Sequence, residues 1–554
     1  MRQSQKSARR MLDILAAMVL IVFVCPLAIR GETSRNLLGG PHGIVRTSKG
    51  YPIEGIMVQL ISRKTSIRTT VYTNPLGQYE FPKLETGMYT LRIPRPLEFR
   101  PYQNDSVHVE GANELEKIVL ERMTDSQFLP PTPEIITQLT DAEWLYNLPG
   151  TGQEKKVFSN ACGSGCHSWM NPFRARFDEA GWRLILHRMR DYTGRIMVEP
   201  RRGRGDAGEP QDNSEEKEIL AKWLTKVRGP GATDPPFQPF PRPQGPATRA
   251  IITEYELPWL GVQVHDVAGD AEGNIWFTIN KSPFIGKLDP KTGKVVSYRV
   301  PVTPGKHPGE HWIRVDKDGI VWYSETWSLS LGRFDPRTGI FKVFHTGAQG
   351  NMALSPDGSL WRTQDGKINQ YDRETAKPIR SFPLQKVRSA YGNFVSWDGR
   401  YFGAGNGAGG GHSFDAIVFL DIKTGEVREV PTPSGAAIPA RGSFDPDGNI
   451  WVGGHGGAQV KYDHRSNVIA EYAPPTPYTN FYDAQADRNG EVWAGEMQAG
   501  RMGRFNPRTN QWIEYQLPEP YCFDFSAWVD NSTNPVTVWY GDLYGYIVRI
   551  QPLE

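Results

Sequence analysis

From residue 248 onward, apolar and polar positions alternate in short runs, and each run is opened by an Asp/Ser-x-x-Gly turn and a buried-type aromatic. The unit reads D-A-E-G-N-I-W-F at 270–277, D-K-D-G-I-V-W-Y at 316–323, S-P-D-G-S-L-W-R at 355–362, D-P-D-G-N-I-W-V at 445–452 and D-R-N-G-E-V-W-A at 487–494. A weaker copy, S-W-D-G-R-Y-F, lies at 396–402, and P-V-T-V-W-Y-G-D at 535–542 keeps the strand without the turn. The anchors fall at 276, 322, 361, 402, 451, 493 and 539, a mean spacing of about 44 residues. That spacing holds four short strands per unit, and period-2 alternation with Gly turns predicts antiparallel strands. Seven such units predict a seven-bladed β-propeller over 248–554, sealed by the strand at Glu254-Tyr255 pairing with the last blade.

Two other patterns precede it. Residues 40–122 also alternate, in Gly43-Ile-Val-Arg, Gly55-Ile-Met-Val-Gln-Leu, Thr70-Val-Tyr-Thr, Gln78-Tyr-Glu-Phe and Met88-Tyr-Thr-Leu-Arg-Ile, with Gly, Pro and Asn between them. The succession of these segments resembles the carboxypeptidase regulatory-like domain, which implies a small Ig-like or prealbumin-like β-sandwich, a spacer or adhesion module without catalytic residues. Residues 134–228 switch to helical spacing. Thr140-Asp-Ala-Glu143 and Asn213-Ser-Glu-Glu216 are capping boxes, and Ile219, Leu220, Trp223, Leu224 and Val227 share one face of the helix after the second. Gly229 to Pro246 then carries seven prolines without periodicity, which predicts a stiff linker over 229–247. The expected fold class is therefore multidomain and mainly β: a sandwich, an all-α domain and a propeller.

Charge and the N-terminus narrow the class. Lys and Arg (63) nearly balance Asp and Glu (61), so no basic field exists to attract nucleic acid. Arg2, Lys6, Arg9 and Arg10 precede an apolar run from Met11 to Ile29 broken only by Asp13. This predicts an export segment over 1–35, either a cleaved signal or a retained anchor, and membrane contact through that segment alone. The rest of the chain is then expected to be periplasmic, or held on the outer face of the inner membrane. An exported chain of this length has room for several disulfides, yet outside the segment it holds only Cys162, Cys166 and Cys522.

Cys162-Gly-Ser-Gly-Cys166-His167 is the sharpest chemical signal. Two thiols followed directly by a histidine are the attachment pattern of c-type haem, in which the thiols add to the vinyl groups and the histidine binds iron. The usual pattern has two residues between the cysteines, and here there are three. With a helix leading into the motif and an amphipathic helix closing the segment, residues 138–228 resemble a class I cytochrome c domain. That resemblance implies covalent haem c on Cys162, Cys166 and His167, with a methionine before the last helix as sixth ligand. Met197 in Gly194-Arg-Ile-Met-Val-Glu-Pro200 fits best and Met189 second, whereas Met170 stands too close to His167. A Cys162–Cys166 disulfide and a zinc site completed by His187 are the competing readings of the pair.

The repeats also align polar residues at the mouth of the ring. Eleven residues before the blade tryptophans stand His265 and His311, and three residues after the second-strand aromatics stand Glu325, Gln364, Glu496 and Asp542. With Glu310 beside His311, this set offers a base next to paired carboxylates. Over 250–552 the repeats resemble the virginiamycin B (streptogramin B) lyase family. The resemblance implies His311 as catalytic base, Glu310 and Glu325 as Mg2+ ligands, His265 as a substrate contact, and ring-opening elimination of a depsipeptide ester. Here the set lies in the first two blades, and Glu310 adjoins His311 directly. Gly405-Asn-Gly407-Ala-Gly-Gly410 has the glycine pattern of a dinucleotide loop but no helix after it, and the repeats lack the docking pattern of quinone enzymes.

The leading expectation is an exported electron-transfer protein, with one haem c tethered to a propeller that binds a redox partner protein or a small-molecule substrate. A metal-dependent C–O lyase with an accessory haem domain, and a non-enzymatic binding protein, are the alternatives.

Overall fold

The computed structural model describes residues 38–123, 133–162, 168–194, 214–234, 236–306, 309–326, 328–347, 351–406, 416–432, 439–454, 456–520 and 526–553. The export segment, Cys166, His167, Met197 and Cys522 lie outside these. No helix among the described residues is long and apolar enough to cross a membrane.

The recurrent turn explains itself in atoms. In Asp270-Ala-Glu-Gly273 one carboxylate oxygen accepts the backbone N–H groups of Glu272 and Asn274, and Gly273 takes the left-handed φ of +84° that closes the turn. The other oxygen accepts the indole N–H of Trp276 at 2.9 Å. Asp316 with Trp322, Asp445 with Trp451 and Asp487 with Trp493 repeat the bond at 3.0–3.1 Å. The Asp thus shapes the hairpin and satisfies the only polar atom of a large buried ring.

These hairpins build seven sheets among the described residues. Five are four-stranded and antiparallel, beginning with the inner strands Val264–Gly269, Glu310–Val315, Ala353–Leu354, Gly392–Val395 and Pro439–Phe444. The sixth has its inner strand split into Asn480–Phe481 and Gln485–Ala486. The seventh runs Ala527–Asp530, Thr537–Gly541 and Tyr546–Pro552, and its outermost strand is Ala250–Glu256 from the start of the region. That pairing extends in register from Tyr546↔Glu256 to Pro552↔Ala250, as the Glu254-Tyr255 pattern predicts.

Inner strands pack side by side, first on second, third on fourth, and onward to the seventh, which lies against the first. The second and third sheets share a cluster of Trp312, Trp322, Leu331, Met352, Leu360 and Tyr371. The arrangement is propeller-like. Within a blade the third strand needs glycine: a Cβ at Gly332 would sit 1.9 Å from the ring of Tyr323, its partner on the second strand.

The N-terminal segment is a sandwich. Gln78–Pro82, Gly39–Thr47 and Ile118–Leu120 form one sheet, while Gln103–Val109, Gly87–Arg92, Met57–Ser62 and Arg68–Tyr72 form the other. Val45, Leu60, Phe81 and Leu91, all fully buried, fill the space between. The second sheet does not stop at the domain edge. Arg68–Tyr72 pairs with Ala250–Glu256 through Arg68↔Glu254, Thr69↔Thr253 and Thr70↔Ile252, giving an eight-stranded sheet shared with the seventh blade. The covered strand no longer presents an open edge.

Between them lie helices Asp141–Asn147, Gly152–Cys162, Met170–Arg174, Glu179–Gly194 and Ser214–Arg228. They enclose a cluster of Trp144, Leu145, Phe158, Trp169, Phe173, Trp182, Leu220, Trp223 and Leu224. The proline-rich stretch lies against its neighbours: Phe237 and Phe240 are buried, and Arg242 pairs with Glu98.

Candidate functional site

The polar side chains that converge where the inner strands meet sit on irregularities of those strands. Between Val264 and Val267 two residues, His265 and Asp266, oppose the single residue Thr278. His311 is the extra residue between Glu310↔Glu325 and Trp312↔Ser324, and Ala440 and Arg441 together oppose Gly453. Tyr482 and Asp483 lie in the break of the sixth inner strand. A bulge re-aims side chains that the period of two would send between blades. It turns these residues toward the ring's centre.

There they form one hydrogen-bonded circuit. Arg441, 2% exposed, holds both oxygens of Asp266 through Nη1, at 2.6 and 2.8 Å. Asp266 meets His265 Nδ1 at 2.7 Å, and His265 Nε2 faces the Tyr482 hydroxyl at 3.2 Å. Tyr482 and Tyr391 join hydroxyl to hydroxyl, and the Tyr391 hydroxyl lies 2.8 Å from His311 Nε2. The circuit closes where Arg441 Nη2 reaches His311 Nδ1 at 2.9 Å. The two imidazoles lie 3.6 Å apart between centroids, and the guanidinium sits over both tyrosine rings, 5.4 and 5.1 Å from their centres. Arg314 approaches Asp266 at 3.5 Å.

Burial sets the charges. It drives both histidines toward the neutral form, His311 far below the ordinary range because His265 and Arg441 add to it. For His265 the neighbouring Asp266 and the His311 backbone carbonyl pull partly back. Burial opposes ionisation of Asp266, but Arg441 and His265 prevail and hold it far below the usual carboxylate range. Both tyrosines are pushed up by burial and keep their protons.

Glu310 and Glu325 lie directly across from one another in the second blade, 0% and 1% exposed. Among the described residues neither Glu310 oxygen has a hydrogen-bond partner, nor has Glu325 Oε1 or the nearby Tyr323 hydroxyl, while Glu325 Oε2 accepts from Ser328. Burial first, and Glu325 second, raise Glu310 well above the ordinary range. Two buried carboxyls with three unsatisfied oxygens fit a hard cation completed by water, or remain protonated. Among the described residues no three His, Cys, Asp or Glu side chains converge on one metal position. Thus the expected pair is assembled and His265 meets His311, but both His311 nitrogens are engaged by Tyr391 and Arg441 and not by the carboxyls.

Sequence reasoning missed Asp266, Tyr391, Arg441 and Tyr482. The signal was present: Tyr391 precedes Phe402, and Tyr482 precedes Trp493, by the same eleven residues as the histidines, and Asp266, Arg441 and Asp483 follow one step later. Of the mouth residues three positions beyond the second-strand aromatics, Gln364 accepts from the Tyr371 hydroxyl at 3.0 Å, and Glu496 and Asp542 are buried.

Cys162 closes helix Gly152–Cys162, half-buried, its carbonyl accepting the Trp169 indole N–H at 2.9 Å. The Phe158 ring one turn earlier lies 5.1–5.4 Å from those of Trp169, Phe173 and Trp223, the last on the closing helix. The indole N–H groups of Trp144 and Trp182 are buried without partners among the described residues. Phe158, Trp169, Phe173 and Trp223 are the buried aromatic core against which Cys162 ends its helix. Met189 and His187 are exposed on helix Glu179–Gly194, and Met170 is buried in the aromatic cluster. The helices dock on the sixth blade at the end where Tyr482 enters: Ala142 N–H donates to the Gln498 carbonyl at 2.8 Å, and Lys155 lies 5.9 Å from the Tyr478 ring.

Residues 42–121 match the carboxypeptidase regulatory-like domain family. No curated protein sequence matches the chain. Among solved structures, a streptogramin B lyase is similar at 20% identity over 56% of this chain and 100% of its own, with a TM-score of 0.45. A catalytically inactive virginiamycin B lyase from Staphylococcus aureus with quinupristin gives 20% over 55% and 99%, TM-score 0.47. The hydrazine synthase of Kuenenia stuttgartiensis gives 14% over 53% and 97%, TM-score 0.43.

Proposed function

We propose that the protein is an exported c-type haem protein in electron transfer, whose propeller holds a small-molecule substrate or partner group at the centre of its ring. The observation that carries the reading is the position of Cys162: it ends a helix against an aromatic wall completed by the closing helix, in a module docked on the sixth blade. Cys162, Cys166 and His167 would hold the group, with Met197 or Met189 as the further iron ligand. When bound, haem c supplies one-electron exchange. The chain's own residues do the rest. Phe158, Trp169 and Trp223 exclude water from the cysteine's inner side, while Arg441 and Asp266 fix the imidazoles that would meet a substrate. Visible spectra of the purified full-length protein test this. Reduced-minus-oxidised bands of c-type haem, and a Cys162–His167 peptide heavier by one haem, are expected. A colourless protein overturns the reading.

A second reading, a Mg2+-dependent lyase acting on a C–O bond, is favoured by one observation, the facing and unpartnered carboxyls of Glu310 and Glu325. Turnover that survives replacement of both glutamates would exclude it.

A further inference from the structure

The proline-rich stretch leaves a space beside the sixth blade. Between residues 240–247 and the segment Pro475-Thr-Pro477, a cleft of about 360 Å³ opens over strands Arg501–Asn506 and Gln511–Gln516. Its floor follows from the ladder. Arg501↔Gln516, Gly503↔Glu514 and Phe505↔Trp512 are direct cross-strand pairs, so Arg501, Glu514 and Trp512 share one face of the sheet. Gly503 keeps that face open, since a Cβ there would sit 3.1 Å from the Trp512 ring. The walls are held in place from outside the cleft. Gln238 and Asn147 exchange two hydrogen bonds at 2.8 and 2.9 Å, and Gly245 N–H donates to Glu54 Oε1 at 2.9 Å. Proline rings stiffen both walls and bring no N–H groups of their own.

The cleft contains a charge that the protein does not neutralise. Arg501 is 6% exposed, and its Nη2 donates to the Pro241 carbonyl at 3.0 Å. Pro241 lines the same cleft, so the guanidinium stands in its wall, and none of its other N–H groups is sealed from solvent. Glu496 lies directly across the ladder on the other side, yet its oxygens accept no hydrogen bond from Arg501. No carboxylate among the described residues forms an ion pair with Arg501. A guanidinium withdrawn from water is normally paired, because it otherwise loses solvation with nothing in return. Glu514, half-buried in the same wall, accepts the Thr476 N–H on Oε1 at 3.0 Å and keeps Oε2 for another donor.

We propose that this cleft binds a compact, largely apolar organic acid that also carries a hydrogen-bond donor, its carboxylate on Arg501 and its donor on Glu514. The site is separate from the ring's centre and from Cys162, and stands whether or not either reading above holds. Each part of the ligand answers a part of the wall. A carboxylate matches the forked donors of a guanidinium, and the pairing is strong where water is scarce. Glu514 beside it repels a second negative charge, which selects a monoanion over a phosphate dianion, and accepts from a hydroxyl or amino group on the same molecule. Pro243, Pro475, Pro477 and Trp512 cover the apolar body between them. The volume stands at the lower end of small-molecule sites, roughly 300–1,000 Å³, and holds a molecule of one or two rings.

Titration calorimetry of the full-length protein at neutral pH with three probes tests the site. 4-Hydroxybenzoate has the acid and the donor, benzoate lacks the donor, and 4-hydroxybenzamide lacks the charge. The first is expected to bind tightest and the amide about 10- to 100-fold more weakly, the worth of a charge-assisted hydrogen bond. Arg501→Gln is expected to lose the acid by the same factor and leave the amide unchanged. Glu514→Gln, which keeps an acceptor for Thr476 but turns the other end into a donor, is expected to abolish the preference for 4-hydroxybenzoate over benzoate. That variant also decides the matter if Arg501→Gln does not fold. Equal affinity for acid and amide in the parent, no binding of either acid at millimolar concentration, undiminished binding of the acid in folded Arg501→Gln, or an intact hydroxyl preference in Glu514→Gln overturns the proposal. Absence of a haem spectrum would sink the electron-transfer reading and leave these affinities as they are.

Discussion

Arg95 of the sandwich and Glu143 of the helical segment form a 3.0 Å ion pair whose side chains are each only 1% exposed. The same carboxylate closes the capping box of helix Asp141–Asn147 through Thr140 and accepts the backbone N–H of Phe240 at 3.1 Å. One side chain thus ties sandwich, helices and proline-rich stretch together.

Removing one partner of such a pair strands the other charge in a medium that cannot solvate it. Glu143→Gln should destabilise the protein by about 3–5 kcal/mol. Thr140→Ala, which loses only the cap, should cost about 1 kcal/mol. Thermal melts of the two variants check the order, and a smaller effect for Glu143→Gln would contradict it.

Glu310 and Glu325 should respond to cations. Mg2+ or Ca2+ is expected to raise the melting temperature, and the rise should vanish in Glu310→Gln. Without added cation the same substitution should be neutral or stabilising at pH 8, because it removes a buried ionisable group that has no hydrogen-bond partner among the described residues. A cation effect that survives the substitution would place the binding elsewhere.

Two buried carboxyls should give stability opposite slopes with pH. Asp266 is held far below its unfolded pKa, so its contribution is complete above about pH 4 and fades as the pH falls through and below that value. Asp266→Asn should therefore flatten the acid limb. Glu254, enclosed by the shared sheet, is raised to about 8 by burial and by Glu519. Its folded value exceeds the unfolded one, so its contribution is complete below about pH 4.3 and is lost as pH rises toward 8. Glu254→Gln should gain stability relative to the parent at pH 8–9, and melts between pH 6 and 9 measure it. Equal melting temperatures across that range would refute the assignment.

The blades were legible because their cause is local: Asp, Gly and Trp at fixed offsets make a turn and bury an indole wherever they recur. The closing strand at Glu254-Tyr255 was legible for the same reason. The site was half legible. Counting histidines found His265 and His311, but Tyr391 and Tyr482 occupy the same offset as different residue types, and chemistry conserved by position is invisible to a search by identity. Asp266 and Arg441 stand one step out of phase, and only a bulge brings them inward. The pairing of Arg68–Tyr72 with Ala250–Glu256 had no signal at all, since both segments read as ordinary strands and their meeting depends on how two separately coded units dock.

That shared sheet alters what a cut in the chain would do. Cleavage between the sandwich and the helices would divide the polypeptide, yet the two pieces would remain joined by the main-chain ladder of Thr69↔Thr253 and its neighbours and by the ion pair of Arg68 with Glu256. A nicked molecule should run as two bands under denaturing conditions and as one particle under native ones. For this protein the order of segments along the chain is a poor map of which parts can let go of one another.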